Sequence, residues 1–201
     1  KGRGATKTEL DRAIARKFGE EFFDGDRTHG YGGFSYHPRF WQPVIPTFKA
    51  HWGLTSANSI LDVGCAKGFM MHDFAELIPG ITLKGLDISE YAIQNTIEDM
   101  RPNVQVADAQ SLPYQDNTFD YVISVTTIHN LDRAELTQSL QEIERVARLG
   151  SFITVDAYRN DEEKERMFAW NLTARTILHV DEWKELFKDA GYTGDYYWFM
   201  P

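Results

Sequence analysis

The chain has 201 residues, 42% hydrophobic and 25% charged, with a formal net charge of −9. That is enough apolar sequence for one domain with a substantial core, and so much negative charge that a long polyanion such as DNA is repelled unless a local basic patch intervenes. One cysteine excludes an intrachain disulfide, and with no apolar run of bilayer-spanning length the expected setting is cytoplasmic, without membrane or nucleic-acid partners.

Residues 6–18 are predicted helical, because Leu10, Ile14 and Phe18 fall at i, i+4 and i+8. The stretch is locally basic (Lys1, Arg3, Lys7, Arg12, Arg16, Lys17), read as a solvated helix face behind a cloning remnant at residues 1–4. Residues 23–40 carry Gly25, Gly30, Gly32 and Gly33 among aromatics and read as a long loop, the kind that carries function. A short helix over 43–52 has Pro43 and Pro46 near its start and Gly53 at its stop. Ile60, Leu61 and Val63 then form a first strand, ending at the small-residue turn Gly64-Cys65-Ala66-Lys67-Gly68. A helix over 68–78 follows, closed by Pro79-Gly80. Strand, tight turn and helix in succession leave backbone N–H groups at a helix start, a place for a polar or anionic ligand. A second strand, 81–86, ends in Asp87, about where an acid at the end of a second parallel strand meets a ribose.

Ser89 caps a predicted helix over 90–100, which Arg101-Pro102 ends. A third strand, 104–108, ends in Asp108; residues 110–118 are a polar connection; a fourth strand covers 119–124. Asp132 and Glu135 make a capping box for a helix that buries Leu136, Leu140, Ile143 and Ala147 and stops at Gly150. A fifth strand over 151–156 precedes helices over 161–177 and 180–190, the second stopped at Gly191, and a last strand over 196–200. The alternation requires right-handed crossovers and a mostly parallel sheet, an α/β Rossmann-like doubly wound fold with helices on both faces. The six histidines show no zinc-like spacing, so no metal is expected.

This ordered series resembles the class I S-adenosylmethionine-dependent methyltransferases over roughly residues 55–160. The family's first motif, an acid followed by glycines at alternate positions, is Asp62-Val63-Gly64-Cys65-Ala66-Lys67-Gly68 here, with alanine at the middle glycine. More loosely, Gly30-Tyr31-Gly32-Gly33 and residues 127–130 are similar to methyltransferases associated with bacterial surface sugars. The resemblance implies one methyltransferase domain: a cap at 1–54, a cofactor-binding core at 55–160, and a substrate-side helix and edge at 161–201. It implies a seven-stranded sheet ending in a hairpin, of which only one strand is legible. The implied cofactor is S-adenosyl-L-methionine, with S-adenosyl-L-homocysteine as product.

For the site, the resemblance implies that Asp62 orients the methionine amine while Gly64, Cys65, Ala66 and Gly68 admit the cofactor to the backbone. Asp87 accepts from the ribose hydroxyls, Ile88 packs on the adenine, and Asp108 accepts its amino group with Ala109 alongside. Ser124 and Val125 line the pocket, and Tyr31 or Arg39 meets the methionine carboxylate. His129 is the catalytic candidate, since an imidazole can take the proton of a hydroxyl acceptor; toward an amine it needs only to position the acceptor. Tyr36, Tyr158, Arg159 and Arg175, with Asp156, Asn171 and His179, are further acceptor-side candidates. Each of these residues also has a plain structural reading as turn, cap, core or surface. The expected partner is a small-molecule methyl acceptor, a hydroxyl on a sugar or other compact metabolite; oligomeric state is not legible. Two rivals are a non-catalytic S-adenosylmethionine-binding partner subunit and a nicotinamide-dependent oxidoreductase. The turn weakens the second, because its small residues are spaced by two and two rather than two and three.

Overall fold

Four of the five residues of β1 (Ser59–Val63) are buried, as befits a central parallel strand covered on both faces. The computed structural model describes residues 7–201 and pairs β1 in parallel with β2 (Thr82–Asp87) on one side and β4 (Phe119–Val125) on the other. β3 (Val104–Val106) extends the sheet beyond β2, and β5 (Ala147–Tyr158) beyond β4. β6 (Leu178–His179) and β7 (Asp195–Phe199) both pair with β5, again in parallel. The order β3-β2-β1-β4-β5 reverses direction between β1 and β4, which opens a crevice at the carboxyl ends of those strands.

Helices cover both faces. One core packs Leu61, Val63 and Val122 against Leu136, Leu140 and Ile143 of α6 (Arg133–Val146) and Trp183 and Phe187 of α8 (Val180–Ala190). The other packs Ile60 and Ile123 against Phe48 of α3 (Ile45–Trp52) and Met71 and Phe74 of α4 (Phe69–Leu77). α1 (Glu9–Ala15) and α2 (Glu20–Phe23) form the cap, α5 (Glu90–Gln94) follows β2, and α7 (Asp161–Trp170) follows β5. No helix among the described residues is long and apolar enough to cross a membrane.

Four sequence expectations are corrected. α6 stops at Val146, and residues 147–150 already belong to β5, where Gly150 sits in register with Tyr121 instead of ending a helix. The helix expected over 90–100 breaks: Thr96 turns its hydroxyl onto the Ala92 and Ile93 carbonyls, and the Ile97 N–H donates to Lys67 O at 2.9 Å. α7 ends at Trp170, because the Asn171 side chain bonds the Ala174 backbone in both directions and holds residues 171–177 as a loop. The C-terminal hairpin is replaced by β7 lying parallel to β5. Thr6, the first residue of the expected N-terminal helix, and residues 1–4, where a remnant was expected, lie outside the described residues.

Candidate active site

The turn after β1 is fixed by its backbone. Gly64 has φ +86°, and a Cβ there would sit 2.0 Å from Thr127 Oγ1, so only glycine fits. Ala66 occupies the left-handed region at φ +48°, at a cost of about 1–2 kcal/mol for a residue with a Cβ. Its N–H donates to Asp87 Oδ2 at 2.8 Å, and Asp87 Oδ1 accepts from the Ser89 N–H at 2.8 Å. Burial pushes the Asp87 carboxyl up against the pull of the Ser89, Ala66 and Ile88 N–H groups. Asp62 lies behind the turn, fully buried, its pKa pushed up to about 8 by burial and by the neighbouring Asp87 charge.

A cavity of about 660 Å³ opens over this turn at the β1–β4 crevice, a size suited to a small ligand. Its wall brings together Tyr31, Gly64, Ala66, Asp87, Ile88, Asp108, Ala109, Val125, His129 and Arg175, with Asp156 and Asn171. Ile88 is 56% exposed here, an apolar face with nothing packed on it. Asp108 is held by its own loop, accepting from the Gln110 N–H at 2.9 Å.

Other sequence candidates lie elsewhere. Cys65 points into the core beside Met71 and Gly85, because neighbouring residues of the turn face opposite ways. Gly68 caps α4 and packs near Thr96 and Met100. Ser124 is fully buried and donates to Val63 O at 2.9 Å, a pin between β4 and β1. Asp62 is buried and off the wall, close enough to Asp87 to feel its charge. Tyr36 donates to Asp73 at 2.6 Å, so its hydroxyl is engaged on α4 and its pKa is pushed up to about 12. Tyr158 packs edge-on to His179, which caps α8; Arg159 pairs with Glu163; Arg39 sits over the Phe40 ring. None of these last four lines the cavity.

His129 is 4% exposed, and its Nδ1 accepts the Asp156 N–H at 2.9 Å. That bond assigns the imidazole proton to Nε2, so the ring's basic lone pair is already engaged. Burial lowers its pKa, with Asp156 and the Thr126 backbone acting in the opposite direction. The side chain therefore suits holding and donating better than proton abstraction. The Asp156 carboxyl, 3.4 Å from Nδ1 and 6% exposed, accepts no hydrogen bond from any described residue, and burial raises its pKa.

The roof was legible only in part: the glycine- and aromatic-rich loop was expected to carry function, but the contacts that hold it were not. Phe18, Phe22 and Phe23 of the cap line the cavity. Lys67, inside the turn motif, donates to Asp24 at 2.6 Å and to Phe34 O at 3.0 Å, and Tyr91 donates to the same Asp24 oxygen at 2.7 Å. Burial works against the Asp24 charge, but Lys67, the Phe34 N–H and Tyr91 together hold its carboxyl below the usual range. On the far side, Arg16 donates to Thr173 O at 3.3 Å and Lys7 to Trp170 O.

A methyltransferase-domain family model matches residues 54–191, more than half of the chain. The chain belongs to the class I S-adenosylmethionine-dependent methyltransferases. As a methyltransferase it uses S-adenosylmethionine as cofactor. It is 30% identical over 162 residues to the Arabidopsis thaliana tRNA (carboxymethyluridine(34)-5-O)-methyltransferase, covering 74% of this chain and 38% of that one. It is 30% identical to the methyltransferase GfsG of Streptomyces halstedii, covering 69% of this chain and 54% of the relative. The chain thus spans at most about half the length of these two relatives. Among solved structures, a Haloferax volcanii methyltransferase in complex with the Trm112 activator superposes with a TM-score of 0.58 at 22% identity, over 93% of this methyltransferase and 77% of that chain. At that identity the likeness shows the shared fold.

Proposed function

We propose that this methyltransferase acts on a hydroxyl of a small molecule, a sugar or another compact metabolite. The observation that carries the reading is the convergence of Asp87 and Asp108 with His129 and Asp156 on one cavity. The donor set fits the cofactor: two carboxylates from the β2 and β3 ends flank the open face of Ile88. Asp87 would accept the ribose hydroxyls with the lone pairs its backbone bonds leave free, a charge-assisted pair. Asp108 would accept the adenine amino group. When bound, S-adenosylmethionine supplies an already activated methyl group, so the residues around it need only hold, align and move one proton. His129 would position the acceptor, and the Asp156 carboxyl would take the hydroxyl proton. The volume of the cavity, about 660 Å³, supports a small acceptor over the RNA named for the plant relative.

Asp87→Ala should weaken S-adenosylhomocysteine binding about 100-fold, since two hydrogen bonds to a charged group contribute about 1.5 kcal/mol or more each. Titration calorimetry reads this directly, and an unchanged Kd would remove Asp87 from the site. Mass spectrometry of candidate metabolites incubated with the cofactor then identifies the product. Cofactor binding with no methylated product across hydroxylated metabolites would favour the partner-subunit reading. With an acceptor in hand, Asp156→Asn should lower kcat by about 100-fold or more and leave cofactor affinity intact; full turnover would return the proton to another group.

A further inference from the structure

The cavity is polarised in a way the overall charge does not predict. The chain carries −9, yet Arg16, Lys17, Arg27 and Arg175 all line this one cavity. None of the four forms an ion pair with any described residue: Arg16 donates to Thr173 O, Arg27 to Tyr31 O, and the Arg175 and Lys17 side chains have no partner among the described residues. The acids on the wall are placed differently. Asp87, Asp108 and Glu135 accept backbone N–H groups of their own turns and caps, and Asp156 is buried beside His129. Outside the cavity the arginines divide: Arg145 pairs with Glu142 and Arg159 with Glu163, while Arg39, Arg101 and Arg133 form no ion pair with any described residue.

Position separates the four cations. Arg175 follows the loop whose Arg175 and Thr176 N–H groups both donate to His129 O at 3.0 Å, so it stands next to the acceptor-side histidine. Arg16 reaches the same loop from the cap. One cation of the group would meet the methionine carboxylate of the cofactor, and the others facing the same cavity would be placed to meet a second carboxylate or a phosphate. We propose that the methyl acceptor is itself anionic, a small carboxylate- or phosphate-bearing molecule whose charge is held by Arg16 and Arg175 beside His129. Two guanidiniums suit either oxyanion, and neither would be neutralised by the protein itself.

The proposal rests on the methyltransferase reading, and its test keeps the two apart. The full chain is saturated with S-adenosylhomocysteine, which fills the methionine carboxylate site. Inorganic phosphate in one arm and succinate in another are then titrated at constant ionic strength, with binding read by calorimetry and by the melting temperature. At least one anion should bind saturably. Arg175→Ala and Arg16→Met should each weaken it about tenfold, while Lys49→Ala on α3 should not. The arm that binds more tightly names the acceptor's acid. Saturable binding that both arginine variants leave unchanged, or no binding beyond a chloride control, overturns the anionic acceptor and leaves the cofactor reading standing. Failure of S-adenosylhomocysteine itself to bind overturns both.

Discussion

Under β1 and β2 the cavity wall is tied by short backbone bonds, Ala66 N–H and Ser89 N–H to one carboxylate and Gly64 N–H to Leu86 O, all at 2.8 Å. Across from it, the cap and the loop at 171–175 are held by long side chains reaching between distant segments, Lys67 to Asp24 and Arg16 to Thr173. The first wall has its shape built into the turn. The second is held by such reaching bonds together with ring contacts, Phe23 on Tyr91 and Phe34 on Phe69, so its shape rests on side chains rather than on the turn.

That contrast can be broken from either side. Gly64→Ala should have the largest effect: the new Cβ meets Thr127 at 2.0 Å in a left-handed backbone, a clash and strain that together cost about 3 kcal/mol or more. Calorimetry should find S-adenosylhomocysteine binding abolished; retained affinity would mean that the floor is not rigid. Lys67→Met should act more mildly, leaving the fold in place and weakening the cofactor about tenfold by loosening the roof. Limited proteolysis should then cut faster within residues 19–36, and an unchanged cutting rate would show that other contacts hold the cap.

Asp62→Asn sharpens the comparison through pH. Its folded pKa of about 8 lies above the ordinary carboxyl value of 3.8, so folding resists its ionisation. The free chain therefore loses stability as pH rises from about 4 to about 8 and recovers it as pH falls back. Asparagine has no such dependence. The variant should melt close to the parent near pH 4 and above it by about 2–4 °C or more near pH 8. A difference that stays constant over that window would mean that the buried carboxyl carries no charge cost.

The floor was legible because its signals are local. β1, the turn and Asp87 follow from an apolar run, small residues and one acid at a set distance, and the Asp132–Glu135 capping box is written in four residues. What no local signal announces is a contact that is distant or two-sided. All but the last residue of β4 are buried, so alternation gives no hint that Ser124 faces β1 rather than the cavity. The hydrogen bond that engages His129 Nδ1 comes from a backbone N–H 27 positions away. Lys67 meets Asp24 across 43 positions, and no spacing in the sequence announces that pair. Gly150 reads as a helix stop until its strand partner Tyr121 is known.

Because β7 runs in the same direction as β5, its far end arrives over the crevice, and Phe199 joins the cavity wall. Phe18 and Tyr31 reach that wall from the opposite end of the polypeptide. All three lie outside residues 54–191, the stretch shared with the family. The wall is thus completed by two flanks that the family match does not cover, added to a middle that carries Asp87, His129 and Arg175. Exchanging the flanks between relatives would therefore reshape the mouth of the cavity while the acids and the histidine of the middle stay where they are.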